Sequence, residues 1–127
     1  MIDAIARMPL ADLPTPVSRR PLRCGDKTRE IWVKHDDVSG RLYGGNKIRK
    51  LEFIFHRAAL RKATRVATFG AVASNHALAT ALYAGQTGLD CTCFLSHQDK
   101  SAKTARALAT HLRLGTELVY FGGDYRT

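Results

Sequence analysis

Residues 66–83 read Val66-Ala67-Thr68-Phe69-Gly70-Ala71-Val72-Ala73-Ser74-Asn75-His76-Ala77-Leu78-Ala79-Thr80-Ala81-Leu82-Tyr83, and this stretch decides the fold. Val66 to Phe69 has the β-branched and aromatic character of a short buried strand. The alanine-rich run from Asn75 to about Gln86 has the character of a helix, and Thr87-Gly88 stops it. Ser74 and Asn75 therefore fall at a strand-to-helix turn. Open backbone N–H groups and the positive helix end favour anionic atoms there.

Working outward, strand and helix keep alternating. Cys91 to Leu95 reads as the next strand. Ser101 then reads as the N-cap of a helix carrying Ala102, Ala105, Leu108, Ala109 and Leu112, closed by Gly115, and Glu117 to Phe121 is a last strand. Upstream, a helix is expected over about Asn46 to Lys62 and a strand over Arg65 to Phe69. Glu30 to Lys34 reads as a strand and Asp36 to Gly45 as a loop. Residues 1 to about 25, with Pro9, Pro14, Pro16 and Pro21, read as an extended arm. The alternation predicts an α/β fold with an open, mainly parallel, three-layer sheet and right-handed crossovers. Ligands in such sheets bind beyond the carboxyl ends of the strands, where Ser74-Asn75 lies.

The helix expected from Asn46 opens on Gly44-Gly45-Asn46-Lys47-Ile48-Arg49-Lys50. Two glycines allow a tight turn and close backbone approach. Asn46 suits an N-cap, and Ile48, Leu51, Phe55 and Ala58 form one apolar stripe. Lys47 stands where a glycine turn feeds a helix and can point back into a cleft. A lysine partly desolvated in that way can lose its proton and condense with an aldehyde. Taken alone, the four residues are better described as a solvated lysine in a first helical turn.

Several pieces in order change that balance. They are Leu13-Pro14-Thr15-Pro16, Ile31-Trp32-Val33-Lys34-His35-Asp36-Asp37, Tyr43-Gly44-Gly45-Asn46-Lys47-Ile48-Arg49-Lys50-Leu51-Glu52 and Gly70-Ala71-Val72-Ala73-Ser74-Asn75-His76. Together the chain resembles the family of pyridoxal-phosphate (PLP) enzymes that includes D-cysteine desulfhydrase and 1-aminocyclopropane-1-carboxylate (ACC) deaminase, with the tryptophan synthase β-like fold. The resemblance implies a Schiff base between PLP and Lys47, flanked by Asn46, and an amide from Asn75 on the cofactor ring's hydroxyl oxygen. It implies a catalytic hydroxyl at Ser74 and places His76 beside the cofactor. The reaction implied is release of ammonia and a 2-oxo acid from a small amino acid, in a cytoplasmic homodimer.

Two departures from the family pattern stand out. Where the family often reads Lys-Arg-Asp-Asp, this chain has Lys34-His35-Asp36-Asp37. Family members are also substantially longer, and their later half supplies a glycine- and threonine-rich phosphate loop; Gly122-Gly123 does not match it. The resemblance thus implies an N-terminal portion, inactive alone, with residues 1–47 belonging to a larger domain and 48–127 forming a small α/β domain. The alternative is a non-catalytic remnant that acts as an association module.

With 127 residues, 45% of them hydrophobic, the chain has enough material for one core, and general disorder is excluded. No apolar run reaches the length of a membrane span, and Met1 to Pro9 lacks the pattern of a signal peptide. The net charge of +9 raises the question of nucleic acid, but the cations are spread from Arg7 to Arg126 with no interleaved aromatics. Specific nucleic-acid binding is not expected, and Arg49, Lys50, Arg57, Arg61 and Lys62 fit exposed helix faces. Cys91 and Cys93 share one face of a strand; with Cys24 they read as buried thiols, suited neither to a mutual disulfide nor, alone, to zinc.

Asp36 and Asp37, being adjacent, suit turn or salt-bridge roles better than a shared metal. His76 lacks a second ligand at helical spacing, so it reads as packed or hydrogen-bonded, and no metal is expected. Phe55 and Tyr83 belong to core stripes, Trp32 is expected under the sheet, and Tyr43 either approaches the cofactor or packs on its own loop.

Overall fold

The computed structural model describes residues 5–122, so Gly123 of the late glycine pair lies outside the described residues. Ahead of the first helix there are two strands rather than one. β1 (Val17–Cys24) and β2 (Lys27–Lys34) pair antiparallel around Gly25, whose φ is +60°. Among the described residues the arm is free of strand only before Val17. A two-stranded ladder consists entirely of edges, and an edge tolerates Pro21 because its missing N–H need not serve a partner.

Trp32 is not under a sheet: it is 67% exposed. No layer packs on the hairpin among the described residues. The indole is covered across the ladder by Arg19, whose guanidinium carbon stands 4.6 Å from the ring centroid. Such an exposed contact contributes about 0.5–1 kcal/mol.

A short 3₁₀ turn over Asp36–Val38 leads to α1 (Lys47–Leu60). Then follow β3 (Arg65–Ala71), α2 (Asn75–Gln86), β4 (Asp90–Ser96), α3 (Ala102–Arg113) and β5 (Glu117–Phe121). The three later strands form a parallel sheet in the order β3-β4-β5, with Phe69 beside Phe94 and Phe94 beside Val119. This is the mixed α/β, mainly parallel architecture that the alternation predicts.

The faces of that sheet differ. Cys93 and Leu95 of β4 are buried against Ala77 and Ala81 of α2, with Cys91 and Leu118 packed on the same cluster. α2 also packs on α1, where Ile48, Leu51 and Phe55 meet Ala79, Tyr83 and Ala84. Alanines suit α2 because it is wedged between α1 and the strands and must approach both closely. Phe55 and Tyr83 are core residues, as their stripes predict. The Tyr83 hydroxyl donates to the Tyr43 carbonyl at 2.9 Å and accepts the Tyr43 N–H at 3.3 Å, so the buried phenol is satisfied. On the opposite face Phe69 is 66% exposed and stacks on Phe94, ring centroids 4.8 Å apart, with no helix over them among the described residues.

Residues 7–11 dock onto α1 through one acidic side chain. Glu52, fully buried, accepts the N–H groups of Leu10 (3.0 Å) and Ala11 (2.9 Å) and pairs with Arg7. Ser101 caps α3 as expected, accepting the Thr104 N–H at 3.1 Å in a capping box closed by the Thr104 hydroxyl. Asn46 does not cap α1: its backbone is already helical and its side chain makes no capping bond. Of the three thiols expected to be buried, only Cys93 is; Cys91 is half-buried and Cys24 exposed.

Candidate functional site

The loop before α1 is built around Asp36. Its carbonyl accepts the Gly45 N–H at 2.6 Å. Its carboxylate takes two bonds from Arg49 of α1, from Nη2 at 2.6 Å and from Nε at 3.2 Å, while the Thr15 hydroxyl donates at 3.1 Å. The Arg49 bonds hold the Asp36 carboxyl below the usual carboxylate range. Arg49 is therefore turned inward as a clamp, where a free surface cation was expected. Thr15 was legible only as part of the Leu13-Pro14-Thr15-Pro16 motif.

Both glycines are required by this geometry. A Cβ on Gly44 would overlap the Asp37 carbonyl oxygen, and Gly45 has φ +104°, a region that side chains disfavour. The Ser39 hydroxyl, fully buried, donates to the Gly45 carbonyl at 3.0 Å. Lys47 is the first residue of α1 and half-buried, two positions before the clamped Arg49. Asp37 is exposed beside His35, whose Nε2 lies 2.7 Å from the Ser18 hydroxyl.

The second loop closes β3 onto α2. A Cβ on Gly70 would stand 2.6 Å from the Ser74 Cβ and Oγ, so glycine lets the strand end nest the serine. Ser74, and not Asn75, is the N-cap: its Oγ accepts the Ala77 N–H at 3.3 Å. The hydroxyl hydrogen stays available to donate. Asn75 is exposed, and the N–H groups of Asn75 and His76 have no acceptor within the helix, as at any helix start. The Ala73 N–H is held at 2.7 Å by the Gln98 side chain, just past β4. Gln98 escaped sequence reasoning; its place right after a strand's carboxyl end was the available signal.

His76 follows Asn75 in the first turn of α2. Its Nδ1 is buried with no partner among the described residues. Burial first, and then the charges of Lys50 and Lys47, push its pKa below the usual histidine value. Asn75 lines a cavity of about 180 Å³ with Tyr43, Leu78, Lys103 and Arg106. Lys47 and Ser74 are not among that cavity's lining residues. Among the described residues no three His, Cys, Asp or Glu side chains gather to hold a metal, and no helix is long and apolar enough to cross a membrane.

Comparison with known proteins places the chain in a family. Residues 8–127 match the family described as pyridoxal-phosphate dependent enzyme, and the chain belongs to it. It is 41% identical over 91 residues to D-cysteine desulfhydrase of Salmonella paratyphi A, a match covering 72% of this chain and 28% of the relative. It is 38% identical over 117 residues to nocardicin C-9' epimerase of Nocardia uniformis subsp. tsuyamanensis, covering 92% and 35%. A solved structure described as an ACC deaminase homologue superposes with a TM-score of 0.77 at 29% identity, covering 94% of this chain and 36% of that one. The chain thus spans about a third of the length of the relatives it matches.

The side chains around His76 fit the family's cofactor. A buried imidazole nitrogen without a partner among the described residues, a half-buried lysine at the start of α1, an exposed amide and an open helix start offer an amine and several uncommitted polar groups.

Proposed function

We propose that Lys47 is the residue through which this chain holds PLP, within a lyase or deaminase that releases ammonia and a 2-oxo acid from a small amino acid. D-cysteine and a cyclopropane amino acid are the substrate classes that the relatives' names favour. The same reading assigns residues 1–47 to a larger domain and 48–127 to a small one, and pairs two subunits. Bound there, the cofactor supplies an electron sink for the carbon next to the substrate nitrogen.

The chain's own groups then have distinct tasks. The Lys47 amine holds the cofactor and, once free, moves the proton at that carbon. Asn46 flanks it at the helix entry. The Asn75 amide hydrogen-bonds the ring oxygen, and the Ser74 hydroxyl, fixed by its capping bond, faces the substrate carboxylate or the moving proton. Burial, and then the charges of Lys50 and Lys47, disfavour protonation of His76.

One observation favours this reading: Ile48, next to Lys47, shares a buried cluster with Ala79 and Tyr83 of α2, the helix that opens on Asn75 and His76. Adding PLP should produce a visible absorbance band that Lys47→Ala abolishes and Lys62→Ala retains. An equal band in the Lys47→Ala protein would refute the assignment.

The open sheet face supports a second reading, association of the chain through Phe69, Phe94 and Val119.

A further inference from the structure

A pair of thiols lies outside the site just described. Cys91 and Cys93 are two apart on β4, so both project to one face of the sheet, and their Sγ atoms lie 3.8 Å apart. Cys93 is fully buried. Cys91 lines a cavity of about 340 Å³ with Arg65, Ala81, Leu89, Leu114 and Glu117. Arg65, Asp90 and Glu117 begin β3, β4 and β5, so this cavity is at the amino edge of the sheet. Ser74 and Asn75 are at the opposite edge.

Bond geometry decides what such a pair can hold. Residues two apart on a strand are separated by about 6.6 Å, whereas a disulfide needs its Cβ atoms about 3.5–4.5 Å apart. A bridging atom restores the reach. Two sulfurs bonded at about 2.3 Å to one centre, with angles between the pyramidal and tetrahedral values, stand about 3.4–3.8 Å apart, and the pair here, at 3.8 Å, is within reach of that span. No third His, Cys, Asp or Glu completes a metal's ligand set among the described residues. The bridging centre must therefore bring its remaining substituent with it.

We propose that Cys91 and Cys93 form a dithiol site for a thiophilic ligand of the trivalent organoarsenical class. Cys91 reacts first, from the cavity. The contact with Cys93, helped by the charge of Arg65, holds the Cys91 thiol below its usual pKa and favours the nucleophilic thiolate, while Cys91 and burial push the Cys93 thiol up, so Cys93 keeps its proton until its sulfur bonds. Cys93 then closes the ring. With an oxo-arsenical, two As–S bonds form, two S–H bonds and the As=O bond break, and one water leaves. Arsenic remains trivalent and no electrons are transferred. The organic substituent occupies the cavity beside Ala81, Leu89 and Leu114.

The test uses phenylarsine oxide on the Cys24→Ser chain, which removes the exposed competing thiol. Intact mass should show one phenylarsenic group per chain, with both remaining cysteines protected from alkylation after denaturation. A small dithiol should reverse it and excess monothiol should not. Cys93→Ala, and Cys93→Val as a second variant, should weaken binding about a hundredfold through loss of the second bond, with thermal melts showing that they fold. Undiminished binding in either folded variant overturns the proposal. Should neither fold, the protection pattern decides: protection of Cys91 alone, or of neither thiol, overturns it.

Discussion

Asp36 joins three parts of the chain with one residue: its carbonyl holds the glycine turn, and its carboxylate holds Arg49 on α1 and Thr15 in the arm. Asp36→Asn should therefore melt at a lower temperature than the parent at neutral pH. The carboxyl's pKa is lowered in the folded protein, so its contribution is present above the unfolded value of about 3.9 and is lost as pH falls through the folded value. The gap between the two proteins should close in acid, and a gap that stays constant with pH would contradict the clamp. His111 works in the other part of the pH scale. It is fully buried, neither ring nitrogen has a partner among the described residues, and burial lowers its pKa. The unfolded chain then binds the proton more tightly, so stability falls as pH drops below about 6.5. His111→Leu should flatten that slope by up to about 1.4 kcal/mol per pH unit, measured in melts from neutral to mildly acidic pH. At this scale Lys47 and Ser74 stood out in the sequence because glycines mark their turns. Arg49 did not, because helical spacing says nothing about which loop comes to meet a side chain.

At the scale of elements, the parallel strands and their helices were legible because their apolar periods change cleanly and each helix ends on a glycine or a capped turn. The hairpin was not, since four prolines mask the strand character of residues 17–24 and pairing cannot be seen in one strand alone. The cap of α1 was misread for a related reason: the turn is held by Asp36 and Ser39 across the loop, so Asn46 has no capping task. The two serine caps permit a comparison. Ser101→Ala and Ser74→Ala should each lower stability by about 1 kcal/mol in denaturant titrations. Only Ser74→Ala should in addition alter PLP binding or turnover. Equal effects on the cofactor from both variants would reduce Ser74 to a cap.

For the whole molecule, the ordered motifs revealed the family and the architecture, while the docking of residues 7–11 on Glu52 and the bare sheet face became visible only in three dimensions. Periodicity marks Cys91, Cys93 and Leu95 as one side of β4, with Phe94 as the one apolar residue on the other; it does not report which side a helix will cover. The uncovered face should make association concentration-dependent in sedimentation, and Phe69→Lys should shift the protein toward monomer, whereas a parent monomeric at all concentrations would remove the association reading. The central claim is that Lys47 and the Ser74-Asn75-His76 turn form one cofactor site. Borohydride reduction in the presence of PLP, followed by peptide mapping, tests it most directly. The modified lysine should be Lys47; a label carried instead by Lys50, Lys62 or Lys103, with Lys47 unmodified, would contradict a site at that turn.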